Sequence, residues 1–223
     1  MPPFGPLYCE TPPSILGAFP LEPWNAISSG VIVLFGLAAL WIVRRRAPAD
    51  LLLYAMTALL VVNGVGSILW HGLRTRWALN LDVIPALVFL VLMAIIWARR
   101  VSPWWQTVAL VAFVLAAPLT FRFVAMDLSF YTRMGVSAAA LTLAALWLIW
   151  RASVISAPAA ALGAASLGAA VLALGFRTLD PIACPDVPFG THFLWHVFLS
   201  SAAFLGLLTL IALKDAATRR AAA

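Results

Sequence analysis

The hydrophobic pattern of this 223-residue chain is one of blocks rather than short periods. Apolar runs occupy about 26–43, 51–71, 80–98, 104–121, 132–150, 157–176 and 191–213, with charges, prolines or both between them. Each run is long enough to cross about 30 Å of hydrocarbon as a helix rising about 1.5 Å per residue. A backbone in lipid must satisfy its own polar groups, which leaves helices or a closed barrel, and the runs lack the strict two-residue alternation of barrel strands. The pattern therefore predicts an all-α fold, a seven-transmembrane helix bundle forming a single domain over residues 1–223.

Charge placement adds a direction. Seven spans would collect Arg44, Arg45, Arg46, Arg99, Arg100, Arg151, Lys214, Arg219 and Arg220 on one side, and Arg74, Arg76, Arg122, Arg133 and Arg177 on the other. Basic residues favour the cytoplasmic face, so the expected orientation has the N-terminus outside or lumenal and the C-terminus cytoplasmic. The composition, 64% hydrophobic and 10% charged, compares with about 25% charged residues in soluble domains and leaves no room for a sizeable soluble domain. In that setting the net charge of +6 reads as a topology signal, and no nucleic-acid partner is expected. The start, Met1 to Pro6, has neither the basic region nor the apolar core of a cleavable signal peptide, so the first span is expected to direct insertion as well. The small-residue stretch Ala157 to Ala170 reads as close helix packing. The proline-rich segment Pro2 to Pro23 reads as an irregular cap on the outer side.

The candidate chemistry sits at the outer ends of the predicted spans. The chain has three histidines, His71, His192 and His196. His192 and His196 are four residues apart on one helix and so share a face, a spacing that suits two ligands of one metal. Ser67 and His71 repeat that spacing on a second helix, and Asp82 opens the third span. In an antiparallel order all five lie at one depth. Ionisable groups in a membrane are costly without partners and by default mark function. Three neutral imidazoles with an open fourth position describe a catalytic zinc site. Plainer readings stand beside this one: a histidine near a helix end that satisfies a local hydrogen bond, Asp82 as a helix N-cap, Ser67 as a packing residue, and Trp70, Trp77 and Trp195 as interfacial anchors rather than cavity lining.

The order Glu22-Pro23-Trp24-Asn25 with Ser28, then Ser67-x-x-x-His71, Asp82 and His192-x-x-x-His196 resembles the alkaline ceramidases. These belong to a superfamily of seven-span membrane hydrolases and receptors that includes the adiponectin-receptor type. The resemblance runs from about Cys9 to His196. It implies zinc held by His71, His192 and His196, with Ser67 and Asp82 beside the water the metal activates. It implies as substrate a membrane lipid, ceramide or a related N-acyl lipid, cleaved to a fatty acid and a sphingoid base or amine. It also implies a Cys9–Cys184 disulfide, consistent with both cysteines falling on the predicted outer side; two free buried thiols are the alternative. Finally it implies an N-terminal calcium site that includes Glu10 and Glu22. Here the match departs from the family, with Leu7 in place of an acid and Pro12 in place of an amide-bearing residue. Calcium takes about six to eight oxygens, and Glu22 has two other outlets, pairing with a base such as Arg74 or capping the first helix.

Two other classes compete with hydrolysis. A zinc-stabilised receptor or scaffold would hold the metal in a closed shell. A proton-coupled transporter would need polar groups through the middle of the spans, whereas here they cluster at one face.

Overall fold

The computed structural model describes the backbone of residues 4–14, 17, 19–124 and 130–222, with the side chains of 117–134 outside that description. Among the described residues there are seven helices and no strand: α1 Pro23–Arg46, α2 Leu51–Leu73, α3 Arg76–Val101, α4 Trp104–Val124, α5 Phe130–Ser153, α6 Ala157–Ala183 and α7 His192–Ala221. Six of them are long and apolar enough to cross a membrane. Each helix packs on its neighbour in sequence, and α1 closes the ring by packing on α7. Two of the basic residues counted in the outer set, Arg122 and Arg133, have side chains outside the described residues.

Local chemistry explains the ends. Pro23 sits at the start of α1, where its missing N–H costs no helical bond. Arg44, Arg45 and Arg46 close that helix at the negative end of its dipole. Asp50 caps α2 by accepting from the Leu53 N–H, and Ser156 caps α6 by accepting from Ala159. The helices overrun the apolar runs: α6 continues to Ala183 and α7 to Ala221, because a hydrogen-bonded backbone does not stop where the side chains turn polar.

The bundle is polarised along its axis. Its apolar core, with Val43, Leu53, Met56, Leu60, Met93, Trp97, Leu148, Leu207, Leu210 and Leu213, fills the half where α1, α3, α5 and α7 end. That end is tied together by Asp50, which accepts from Lys214 at 3.0 Å and Arg100 at 3.2 Å, and by an Arg46–Asp215 ion pair. Large apolar side chains such as Leu34, Leu37, Ile84, Leu87 and Leu143 point outward and are exposed, as expected of helices facing lipid. The opposite half, where α2 and α6 end and α3 and α7 begin, buries polar groups instead, among them Glu22, Ser67, His71, Arg74, Asp180, His192 and His196.

Two glycines permit the close approaches there. A Cβ on Gly66 would run into the Leu81 carbonyl and the Asp82 backbone nitrogen, so glycine lets α2 touch α3 beside Ser67 and Asp82. Gly190, at φ +65°, would clash with Asp180 and Cys9 if it carried a side chain. It turns the chain so that the Asp180 carboxylate accepts from the N–H groups of Thr191 and His192 at 2.8 and 2.9 Å.

Candidate metal centre

The three histidines converge. Their ligand atoms lie within 4.8 Å of one another, and among the described residues they form the group of histidines, cysteines or acids able to share one ion. Ring centroids are 4.8 Å apart for His71–His196, 4.7 Å for His192–His196 and 5.3 Å for His71–His192. All three are buried, at 1%, 2% and 3% exposure for His71, His192 and His196.

Hydrogen bonding sets the tautomers of two of them. His71 Nδ1 lies 2.5 Å from the Glu22 carboxylate, an acceptor, so Nδ1 carries the proton and Nε2 the free lone pair. The Ser28 hydroxyl spends its proton on the Asn25 carbonyl at 3.0 Å, so it accepts from His196 Nδ1 at 2.8 Å, and His196 Nε2 likewise keeps its lone pair. His192 differs: its Nδ1 is buried with no hydrogen-bond partner among the described residues. A carboxylate or hydroxyl behind a ligating imidazole is the usual outer support of a metal site. Three buried imidazoles, two of them prepared as lone-pair donors and one with an orphaned nitrogen, fit a divalent cation that retains an open position.

Asp82 and Ser67 lie inside their helices, about one turn and a half from the ends. Ser67 is six residues before the end of α2 and Asp82 six after the start of α3, which at 1.5 Å per residue is about 9 Å. Ser67 lies beside Asp82 and accepts from Ser29 at 3.0 Å. Asn63 donates to the Asp82 carboxylate at 3.0 Å and to its carbonyl at 2.6 Å. The reading of Asp82 as the residue that opens the third span is therefore corrected. The cap of α3 is Thr75, and the helix runs through Asp82 because α2 supplies partners for its side chain.

The N-terminal segment roofs this end, and four consecutive residues tie it to α7, α6 and α1 and, through Glu22, to α2. The Tyr8 ring stacks on His192, with centroids 3.9 Å apart. Cys9 forms a disulfide with Cys184 at the end of α6. Both Glu10 oxygens accept from the first N–H groups of α1, those of Trp24 and Asn25, at 2.7 and 3.0 Å. Thr11 donates to Glu22 at 2.6 Å, and Glu22 holds His71 and pairs with Arg74 at 3.1 Å. Arg74 also donates to the carbonyls of Phe4 and Pro6 and lies 4.2 Å from the Trp70 ring. Trp70 is thus fully buried beneath Arg74 rather than an interfacial anchor, whereas Trp77 is exposed.

Burial pushes the Tyr8 phenol and the Glu10 and Glu22 carboxyls above their ordinary values, against the opposing pull of Arg177 on Tyr8, of the Trp24 and Asn25 N–H groups on Glu10, and of Thr11 and Arg74 on Glu22. Burial also lowers Arg74, with Glu22 opposing it. The two acids expected to bind calcium thus serve as the N-terminal cap of α1 and as the partner of His71 and Arg74. Among the described residues their carboxylate oxygens are taken up by the Trp24 and Asn25 N–H groups, Thr11, His71 and Arg74, and Leu7 and Pro12 add no side-chain oxygen, so no calcium ion is assigned to them.

A family model for ceramidases matches residues 8–222, nearly the whole chain. The chain belongs to the ceramidase family. No curated protein sequence matches it. Within this ceramidase-family chain, Ser28, Ser29, Asn63, Asp180 and Tyr8 are the supporting residues that sequence reasoning did not assign. Only Ser28 carried a signal, as part of the family pattern near Asn25.

Proposed function

We propose that this chain is a multi-pass membrane amide hydrolase that uses zinc held by His71, His192 and His196 to cleave ceramide or a related N-acyl lipid into a fatty acid and a sphingoid base or amine. The observation that carries the reading is the buried three-imidazole cluster within 4.8 Å, found in a chain of the ceramidase family. Zinc bound there would supply Lewis acidity, polarising the amide carbonyl and lowering the pKa of water. Asp82, aimed by Asn63, accepts the proton of the attacking water and passes it to the departing amine. Ser67, which accepts from Ser29, would offer its own hydroxyl proton to the oxyanion that develops on the carbonyl. Glu22 and Ser28 keep the His71 and His196 imidazoles in the ligating tautomer and orientation.

The proposed topology has seven spans, with the N-terminus outside or lumenal and the C-terminus in the cytoplasm. It is supported by the basic residues gathered where α1, α3, α5 and α7 end. It is supported too by the disulfide at the opposite end, since disulfides persist outside the reducing cytoplasm.

The test pairs metal analysis of the purified protein with mass spectrometry of N-acyl lipids incubated with it. One equivalent of zinc together with released fatty acid is expected. A full complement of metal with no fatty acid from any N-acyl lipid would replace this reading with a receptor or scaffold.

A further inference from the structure

The three histidines are held in different ways. His71 and His196 are fixed through Nδ1 by Glu22 and Ser28, whereas His192 Nδ1 meets no hydrogen-bond partner among the described residues. Asp180 anchors the His192 backbone N–H, which sets where the residue starts but does not fix the ring plane. Among the aromatic rings around it, those of His71, His196, Trp195 and Tyr8, Tyr8 lies closest, stacked on it at 3.9 Å with an interplanar angle of 18°. Tyr8 is itself clamped: the guanidinium of Arg177 lies 4.7 Å from its ring centroid and that of Arg74 lies 5.5 Å away. Its backbone N–H donates to Thr11 at 2.9 Å, and its neighbour Cys9 is bonded to Cys184. Arg177 pairs with no carboxylate among the described residues, unlike Arg74, so the aromatic face is the partner the structure gives it.

We propose that Tyr8 is the positioning residue of His192, its ring holding the imidazole by stacking where the other two histidines are held by hydrogen bonds, with Arg177 as the clamp behind it. The inference rests on the metal-centre reading above and extends it. The roof segment then belongs to the ligand set in energetic terms, since His192 through Tyr8, like His71 through Glu22, is oriented by a residue from outside the helices. The aromatic face matters and the hydroxyl does not, which separates this role from proton transfer by Tyr8.

The test measures zinc affinity by chelator competition, and the visible spectrum of the cobalt(II)-substituted protein, for wild type, Tyr8→Phe, Tyr8→Leu and Arg177→Gln. Loss of an outer support typically lowers metal affinity by at least about tenfold, so Tyr8→Leu is expected to lose about tenfold and to alter the cobalt spectrum. Tyr8→Phe should stay within about twofold of wild type. Arg177→Gln removes a cation–π contact and should lose about two- to fivefold; it also decides the matter if Tyr8→Leu does not fold. Wild-type affinity in Tyr8→Leu, or in Arg177→Gln where Tyr8→Leu is unfolded, overturns the proposal, as does a Tyr8→Phe loss as large as that of Tyr8→Leu. His196→Ala separates the two readings. If it abolishes binding while Tyr8→Leu does not, the metal centre stands and the role of Tyr8 falls; if wild type binds no metal, the centre itself falls.

Discussion

His71 Nδ1 and the Glu22 carboxylate face each other at 2.5 Å, and neither side chain is more than 1% exposed. The same carboxylate pairs with Arg74 and accepts from Thr11, so one acid supports a ligand, neutralises a buried cation and fastens the roof. Glu22→Gln keeps the shape and removes the charge. Metal affinity should fall about 10- to 100-fold. Thermal stability should fall as well, because Arg74 is left buried without its counter-charge. Chelator competition and thermal unfolding check both outcomes, and a variant that keeps zinc and melts with wild type would make the pair a bystander.

Ser28 supports His196 more gently. Ser28→Ala leaves the His196 N–H with Ser29, 3.5 Å away, as the remaining hydroxyl, so the loss of zinc affinity should sit at the lower end, about tenfold. His196→Ala should remove the metal and the hydrolytic activity altogether while the protein still inserts in membranes. Stoichiometric zinc in His196→Ala, measured by mass spectrometry, would exclude it as a ligand.

The convergence of these side chains was legible because it depends on two regularities. Helical spacing puts Ser67 with His71, and His192 with His196, on common faces, and antiparallel spans bring the end of α2 and the starts of α3 and α7 to one level. The Cys9–Cys184 pairing was legible only through family resemblance. Tyr8, Asp180 and Asn63 were not legible at all. Tyr8 lies in a segment with no periodicity, and its placement depends on the disulfide and on Thr11. Asp180 and Asn63 matter through the face their helices turn inward, which is fixed by packing around Gly66 and Gly190 rather than by local sequence. The apolar run from about residue 80 puts Asp82 at the mouth of the third span, whereas the helix begins at Arg76 and carries Asp82 inside, where Asn63 receives it.

That inner position yields a prediction. Asp82→Asn keeps volume and an oxygen that can accept from Asn63 but cannot carry the proton. Zinc should remain near one equivalent while turnover at saturating lipid falls about 10²- to 10⁴-fold. Unchanged turnover would exclude Asp82 as the proton carrier, and lost zinc would recast it as part of the ligand shell.

At the far end of the bundle, Asp50 links stability to pH. Burial alone would raise its carboxyl, but the Lys214 hydrogen bond, the Leu53 N–H and the charges of Lys214 and Arg100 outweigh that, so it titrates below its ordinary value. A carboxyl with a folded-state pKa below its unfolded value of about 3.9 contributes stability that is fully present above that value and is lost as pH falls through the folded one. Asp50→Asn should therefore lower the unfolding temperature of the detergent-solubilised protein at neutral pH. Asparagine caps a helix about as well as aspartate, so the loss is that of the ion pairs with Lys214 and Arg100, which, being partly exposed, contribute about 1 kcal/mol or less each. Below about pH 3.9 the wild-type advantage should shrink as its own carboxylate protonates. A gap between wild type and variant that stays constant from pH 7 to pH 3 would show that Asp50 acts through shape and hydrogen bonding alone, with its charge contributing nothing to holding α2, α3 and α7 together.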